Sequence, residues 1–474
     1  MRLALSAPIS AISDFLRFEL AFLNSFDWMA KQASPAHLGP PRIWSAKNGS
    51  GRAGRPKKNG PQSLIKMGFV SRGLFFLLAT FVLILSTLCS CAFAQTQTIV
   101  KSAVFLSPKI ELGPGSVSNK YYFGVDFPRG HIALKSISGE LVDEAGKSVP
   151  LYETYLHHSF LIKFYQPRYD GHRILNQSDN IIVRNSGLCQ KDILRQYFVF
   201  GAEIRGTTID IPDPFGIVVG NPAETPEGYE EKWMLNVHVI DTRGVANTRG
   251  CTECRCDLNN VTKDEHGKPL RSDYKGGLLC CYDGLQCRLR EGLVGPKRNL
   301  YLRYTVKWVD RDMFIVPLKI YIIDVTDTFK KSDDSSGRIP EHDCHEEYDI
   351  EHCSTGDKDG NGCVDVQRTS LPMKNGGYVI YVAGHQHVGG TGITLYGQDG
   401  RVICSSIPSY GMGKEAGNEA GYVVGMSTCY PQPGSVKLID GETLTVESNY
   451  SSRPGHTGVM GLFYLLVAEQ LPRQ

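Results

Sequence analysis

Several patterns that identify common classes of protein are missing from this chain of 474 residues. No G-x-S-x-G elbow, phosphate-binding loop or dinucleotide fingerprint occurs in the right context, which sets aside the hydrolases and nucleotide-binding enzymes that carry them. Amphipathic helical periods of useful length are also missing, and so is any internal repeat. The sequence therefore argues against a mainly helical protein.

An excess of charge of one sign is missing as well. The formal net charge is only +2, and the first 66 residues hold ten Lys and Arg against three Asp and Glu. The remainder of the chain is therefore mildly acidic, which argues against nucleic acid as a partner. Residues 1–66 are rich in Arg, Pro and Gly and have no periodicity, so they are predicted to be a disordered basic leader.

A hydrophobic run follows this leader. Arg72 precedes the apolar stretch 74–88, and Ala92, Phe93 and Ala94 match the small-x-small pattern that signal peptidase cuts. Residues 67–94 are predicted to be a signal peptide, so that the mature chain is secreted and starts near Gln95. In the alternative, residues 73–94 remain as a membrane anchor, because the run is long enough to span a bilayer.

The cysteines agree with export. Of the fourteen, Cys89 and Cys91 lie in the signal peptide, which leaves an even twelve for the exported part. An oxidising compartment predicts that these twelve form disulfides. Half of them fall in residues 244–297, a cysteine-rich insertion for which zinc binding through C-x2-C spacing is the alternative. Sequons at Asn176, Asn260 and Asn449 predict a glycoprotein.

Short segments rich in β-branched and aromatic residues dominate the exported part. They are separated by Gly, Pro, Asn and Asp, as in residues 301–309, 313–325, 377–384 and 442–450. This pattern predicts an all-β fold built from sandwiches. The insertion separates two strand-rich halves, which are taken as two domains, residues 95–243 and 298–474.

Three histidines lie in strands of the first half. His157 and His158 are adjacent at the edge of an apolar run. A regular strand points neighbours to opposite faces, so both could bind one ion only at a bulge or a strand end. His238 is central in its strand, where a histidine is often a satisfied core or cross-strand partner.

His385 and His387 give a stronger signal in the second half. Positions i and i+2 of a strand share a face, and two imidazoles fixed there by a sheet form a rigid metal platform. A third ligand must come from elsewhere in the chain, and the candidates include Met412, Met426 and Met460.

The order of these residues resembles the copper type II, ascorbate-dependent monooxygenases, the group of the peptidylglycine and dopamine hydroxylases. The pattern runs from "HH" through "NVH" and "HQH" to the last strand, "HTGVMGLFYLLV". The resemblance implies two jelly-roll-like β-sandwich domains, two copper ions, ascorbate as reductant and Tyr464 as a catalytic residue. It assigns three ligands to each copper: His157, His158 and His238 to the first, and His385, His387 and Met460 to the second.

Two positions depart from that pattern. Ala383 stands where peptidylglycine hydroxylases have a substrate-binding arginine, and Asn236 replaces a glutamine near the first site. A peptidylglycine substrate is therefore not expected, and the substrate, a small molecule or a peptide, stays open. The two copper centres are expected in separate domains, across a solvent-filled cleft.

Most of residues 98–470 resemble the stress-up-regulated nodulin-like proteins of plants. The segments "YLHHSFLIKFYQ" and "HQHVGGTGITLYG" and the cysteine-rich insertion carry this resemblance. It implies an exported, stress-related protein and supplies no reaction. Two functions follow: copper-dependent hydroxylation of a C–H bond with O2, or a non-catalytic extracellular binding or structural glycoprotein of the same fold.

Residues 357–365 have the start of a calcium-binding loop. Asp357, Asp359 and Asn361 follow the ligand spacing of an EF-hand, but Arg368 occupies the position that needs a bidentate glutamate. A polar turn is predicted, with weak calcium binding as the alternative.

Overall fold

In the computed structural model of this protein, the described residues are 80–81, 99–169, 176–189, 194–329, 342–354 and 362–472. Their regular structure is nearly all β-strand, which confirms the predicted all-β class. Residues Thr96–Gln474 form one compact unit. The predicted leader 1–66 and the signal peptide 67–94, apart from Thr80 and Phe81, lie outside the described residues. No helix among the described residues combines the length and the apolar character that a membrane span requires.

Ten strands precede the cysteine-rich insertion. They are β1 (Lys101–Leu106), β2 (Ile110–Leu112), β3 (Val117–Phe123), β4 (Ile132–Asp143), β5 (Thr154–Pro167), β6 (Ile181–Ile182), β7 (Phe198–Phe200), β8 (Ile209–Asp210), β9 (Phe215–Val219) and β10 (Tyr229–Asp241). Between the described residues 99 and 472, helical structure is limited to short pieces. These are α1 (Thr248–Thr252), α2 (Cys256–Asn259) and the 3-10 turns Gln177–Asp179, Ala202–Arg205 and Leu278–Cys280.

The remaining strands follow the insertion. They are β11 (Arg298–Asp310), β12 (Val316–Asp324), β13 (Tyr348–Ile350), β14 (Val364–Pro372), β15 (Gly377–Gln386), β16 (Gly390–Tyr396), β17 (Val402–Ser406), β18 (Pro408–Tyr410), β19 (Val423–Met426), β20 (Thr428–Cys429), β21 (Lys437–Leu438), β22 (Thr443–Ser451), β23 (His456–Val459) and β24 (Gly461–Ala468).

Three sheets contain most of these strands. The largest has eleven strands in the order β1-β11-β4-β9-β12-β24-β15-β20, with β2, β8 and β21 paired at its sides. Five strands form a second sheet, β3-β10-β5-β6 with β7, and four form a third, β14-β22-β16-β17. Because β11 pairs with both β1 and β4, the largest sheet joins strands from before and after the insertion. The domain boundaries at 243 and 298 stay a prediction.

The burial of two strands shows how the sheets are covered. β22 alternates buried and half-buried residues, as expected of a strand with one covered face. β5 is buried along nearly its whole length, since other chain segments cover both of its faces. The main hydrophobic core contains Leu161 of β5 and Leu235 of β10 together with Tyr381 of β15 and Leu466 of β24. This shared core brings the histidine-bearing strands of the two halves together.

All twelve cysteines after residue 94 form disulfides, as predicted. The pairs are Cys189–Cys344, Cys251–Cys287, Cys254–Cys281, Cys256–Cys280, Cys353–Cys363 and Cys404–Cys429. The zinc alternative for the insertion is wrong, because a sulfur in a disulfide is not the thiolate that zinc needs. Most of the predicted calcium loop, residues 355–361, lies outside the described residues, so calcium binding there stays a prediction.

Candidate metal centre

A β-bulge places the two adjacent histidines of β5 on the same side of the strand pair. His238 of β10 lies opposite His158, and the next paired residues are Val239 and Leu156. His157 is therefore the extra residue of the bulge, which frees it from the strict alternation of a strand. Its ring centroid lies 4.3 Å from that of His158 and 4.6 Å from that of His238. Of the two irregularities that would let both histidines share a site, a bulge or a strand end, the bulge is present.

The histidines of the second half reach this cluster from the eleven-stranded sheet. His385 lies near the end of β15, and His387 follows the last residue of that strand. Their ring centroids are 5.3 Å apart, and the Nε2 atoms of His387 and His158 are 3.1 Å apart. The expectation of two centres across a cleft is therefore wrong. The strands that carry them pack against one shared core, so five histidines form a single cluster.

Three of these imidazoles have the arrangement of a metal site. The ligand nitrogens of His158, His385 and His387 all lie within 4.8 Å of one another. In a tetrahedral site with bonds of about 2.0–2.1 Å, neighbouring nitrogens are about 3.3–3.4 Å apart, so the His158–His387 distance is already close to that value. A fourth position would remain for water or a substrate.

Two other groups of potential ligands in the described residues contain oxidised cysteines. One consists of His157, His238 and Cys254, and Cys254 is bonded to Cys281. The other consists of Asp327 with Cys189 and Cys344, which are bonded to each other. Since a disulfide sulfur is not a thiolate, the first group keeps two ligands and the second only one, against three in the His158 group.

A buried carboxylate orients His385. Glu203 Oε1 lies 2.7 Å from His385 Nδ1, so the ring donates its Nδ1 proton to this oxygen. That tautomer leaves the Nε2 lone pair of His385 free, and Nε2 is buried without a hydrogen-bond partner. A carboxylate behind an imidazole is a common support for a metal ligand. Gly201 permits the contact, because a Cβ there would come within 2.4 Å of Glu203 Oε2 and 2.8 Å of His385 Cε1.

His157 supports His158 in a similar way. Their Nδ1 atoms are 2.8 Å apart, so one of the two must donate a proton. If His158 Nε2 faces a metal, its Nδ1 carries the proton and His157 accepts it. The Nε2 of His157 then carries a proton toward Cys254 Sγ, at 3.8 Å. His157 is thus a positioning residue for His158 in this arrangement, and not a ligand of the same ion.

Burial keeps four of the five imidazoles neutral. Burial lowers the pKa of His157, His158 and His387 well below its ordinary value, and repulsion among the rings acts in the same direction. Burial also lowers the pKa of His238 to about 3. A backbone group of Cys281 lies near this ring, yet neither ring nitrogen has a hydrogen bond of normal geometry. Neutral imidazole is the form that binds metals.

The comparison with known protein families decides where the chain belongs. The sequence profile described as "stress up-regulated Nod 19" matches residues 98–470. The chain belongs to this family. No curated protein matches the chain. The resemblance to the copper monooxygenases stays a prediction.

Solved structures give only weak similarity to this Nod 19 family member. The VP2 subviral particle protein of infectious bursal disease virus is 8% identical, with 78% of this chain and 72% of that chain covered and a TM-score of 0.17. The Cry4Aa toxin of Bacillus thuringiensis is also 8% identical, with coverages of 71% and 58% and a TM-score of 0.17. Scores this low carry no argument about fold or function.

The predicted methionine ligand lies beside the cluster. Met460 separates β23 from β24, is 4% exposed and lines a cavity together with His158 and His238. Its backbone carbonyl accepts a hydrogen bond from the Tyr450 hydroxyl at 2.6 Å. That hydroxyl in turn accepts one from the backbone N–H of His387 at 2.7 Å. The other two candidates differ in placement: Met412 is exposed and Met426 packs in a separate core.

Tyr464, the predicted catalytic residue, points its hydroxyl at the backbone. The hydroxyl donates to the carbonyl of Tyr197 at 2.8 Å. Burial raises the pKa of Tyr464 well above its ordinary value, so the phenol stays protonated. A catalytic role would require this hydrogen bond to break, and that role stays a prediction.

Sequence reasoning missed Glu203 and His456, a buried histidine outside the five of the cluster. The Nδ1 of His456 lies 2.8 Å from Glu253 Oε1, while its Nε2 has no hydrogen-bond partner. This ring packs against Gly389, where a Cβ would come within 2.3 Å of Nε2 and where φ is +98°. Neither residue belongs to a spaced motif, so only the fold could reveal them.

Proposed function

We propose that this protein is an exported metal-binding protein in which His158, His385 and His387 hold one copper ion. Export is supported by the disulfides, since all twelve cysteines of the exported part are oxidised. The single observation that carries metal binding is the meeting of three buried imidazoles from two sheets. A buried His385 Nε2 without a partner would be costly unless a metal or another group satisfied it.

Copper is favoured by the chemistry of the donors. The group contains no carboxylate, which argues against calcium and magnesium. Imidazole suits both copper and zinc, and a nearby thioether favours Cu(I) over zinc. Met460 supplies a thioether on the wall of the adjoining cavity. The proposal is for one ion, because the group of His157, His238 and Cys254 is closed by its disulfide.

Metal analysis of the secreted protein tests this proposal. The metal-free protein should bind one copper per chain in the presence of competing zinc, and His158→Ala should abolish that binding. A matched control is His266→Ala, which removes an exposed imidazole outside the cluster and should bind copper normally. If the protein binds zinc in preference to copper, the proposed metal is wrong. If both variants bind copper equally, the proposed site is wrong.

A second candidate function is ascorbate-dependent hydroxylation at this centre. It is favoured by the cavity that reaches His158, His238 and Met460, since a substrate could lie there. One atom of O2 would enter a C–H bond, and the other would leave as water with two electrons and two protons, the electrons coming from ascorbate. When bound, copper would supply the activation of O2.

Oxygen consumption distinguishes this function from a non-catalytic one. The copper-loaded protein is incubated with ascorbate and a panel of small molecules, and hydroxylation predicts uptake that depends on one of them. His385→Ala should remove this uptake, whereas His266→Ala should retain it. Copper binding without uptake for any compound would favour the non-catalytic extracellular binding protein.

A further inference from the structure

A cavity of about 270 Å³ adjoins the histidine cluster. Its floor is one face of the five-stranded sheet, because it contains alternate residues of three neighbouring strands. These are Asn119 and Tyr121 of β3, His158, Phe160 and Ile162 of β5, and Met234, Asn236 and His238 of β10. Met460 and Leu462 close the side toward the eleven-stranded sheet.

The cysteine-rich insertion forms the opposite wall. Leu278, Leu279 and Tyr282 line the cavity from the insertion. The 3-10 turn Leu278–Cys280 is held at one end by Glu347, whose carboxylate accepts the Leu278 N–H at 2.9 Å. Disulfides from Cys280 and Cys281 hold the other end. The insertion thus has a fixed position as a wall of the cavity.

The polarity of the cavity changes from the rim to the interior. The charged residues that line it are the exposed Glu265 and the half-buried Arg195 and Glu346, and they include both signs. The interior walls are mainly aliphatic and aromatic, and Ile162, Met234 and Leu462 are each 5% exposed or less. A buried charge without a partner would be costly among such walls.

We infer that this cavity is the substrate site of the metal centre and takes a small, uncharged, mainly aromatic molecule. The volume is at the small end of ligand sites, which favours a small molecule over a peptide chain. Tyr121 and Phe160, edge to face with centroids 5.9 Å apart, offer aromatic surface to such a molecule. In this site, the end of the molecule beside His158 lies next to the metal centre.

The inference deepens the proposed function and rests on it in one respect: the occupant is a substrate only if the histidines hold a metal. Binding itself requires no metal and is measured separately. A larger groove of about 460 Å³ elsewhere on the protein is lined by none of the clustered histidines.

Calorimetric titration with phenol tests the site in the metal-free and copper-loaded protein. Phenol should bind both forms, and the charged analogues benzoate and benzylammonium should bind at least about tenfold more weakly. Val199→Phe, at a half-buried cavity position, should weaken phenol binding by at least about tenfold by filling the space. The matched control Val402→Phe, at a position 59% exposed and outside the cavity, should not change it.

Two results would overturn the inference. No phenol binding, or equal affinity in Val199→Phe and the wild type with both proteins folded, would exclude the cavity as the site. Phenol binding that leaves the electron paramagnetic resonance spectrum of bound copper unchanged would exclude its role as a substrate site. If phenol binds in the cavity while copper does not bind at all, the proposed function fails and the cavity remains a ligand site.

Discussion

Two groups of side chains within the histidine cluster have similar spacing and different chemistry. His158, His385 and His387 bring three imidazole nitrogens within 4.8 Å of one another. His157, His238 and Cys254 do the same with two nitrogens and a sulfur, but that sulfur is bonded to Cys281. The first group has three donors that can bind a metal, and we call it the open group. The second group, in which the disulfide removes one donor, is the closed group. Proximity of donors is therefore not sufficient, and the oxidation and protonation of each donor decide what the group can bind.

The closed group still contributes to the open one. With a metal on His158 Nε2, His157 would accept the Nδ1 proton of His158, as Glu203 accepts that of His385. Each of these two ligands therefore has a buried partner that selects the metal-binding tautomer. The difference between the groups can be tested by changing one member at a time.

The largest effect is expected from the ligands themselves. His385→Ala should weaken copper binding by more than about 100-fold, because loss of a supporting residue alone costs about 10–100-fold. His238→Gln, which removes an imidazole from the closed group, should leave copper affinity nearly unchanged. Copper titration of both variants, with thermal unfolding to establish that each is folded, measures the contrast. Equal losses would remove the distinction between the groups.

A smaller effect is expected from the residue that orients His385. Glu203→Ala should weaken copper binding by about 10–100-fold, since the ring loses the acceptor for its Nδ1 proton. Glu203→Gln should recover much of the affinity, because its amide oxygen can still accept that proton. A purely structural role for Glu203 would make both variants lose copper in proportion to their loss of thermal stability, and this outcome would contradict the positioning role.

Removing the disulfide of the closed group should lower the stability of the protein and leave copper binding nearly unchanged. Replacing Cys254 and Cys281 by Ala together should destabilise the protein by about 2–5 kcal/mol. If Cys254 is no ligand, copper affinity should change little in this double variant. Urea unfolding measures the first effect and copper titration the second. A loss of copper binding as large as that of His385→Ala would show that the closed group takes part in the site.

The smallest effect on copper binding is expected from Glu347, the acid that holds the cavity wall. Its variants should change the pH dependence of stability instead. Burial raises the pKa of Glu347 from 4.5 to about 8. The folded state therefore binds a proton that the unfolded state loses, and the resulting stability is complete below about pH 4.5 and is lost as the pH rises through about 8. Unfolding free energies measured between these values should fall with pH, and Glu347→Gln should flatten the profile. An unchanged profile would contradict the assignment to Glu347.

Local patterns in the sequence predicted several parts of this molecule. Alternating β-branched segments indicated the all-β class, because alternation is a local property of strands. The i and i+2 spacing of His385 and His387 indicated that they lie together, and the even cysteine count indicated disulfides. The first two inferences need only the residues of one segment. The third needs only the number of cysteines and an oxidising compartment.

Other features depend on distant parts of the chain. No local pattern predicts that β11 pairs with strands from before the insertion, or that the histidines of both halves meet. The adjacent histidines call for a bulge or a strand end, and the sequence alone does not show which of the two occurs at His157. Glu203 and His456 belong to no spaced motif, since long-range packing alone brings them to the cluster.

The nitrogen ligands of bound copper test the central claim most directly. Electron–nuclear double resonance on the Cu(II)-loaded protein, labelled with 15N-histidine, counts the imidazole nitrogens coupled to the metal. We expect three strongly coupled nitrogens, assigned to His158, His385 and His387. Bound copper with fewer than three strongly coupled histidine nitrogens would contradict the three-histidine centre.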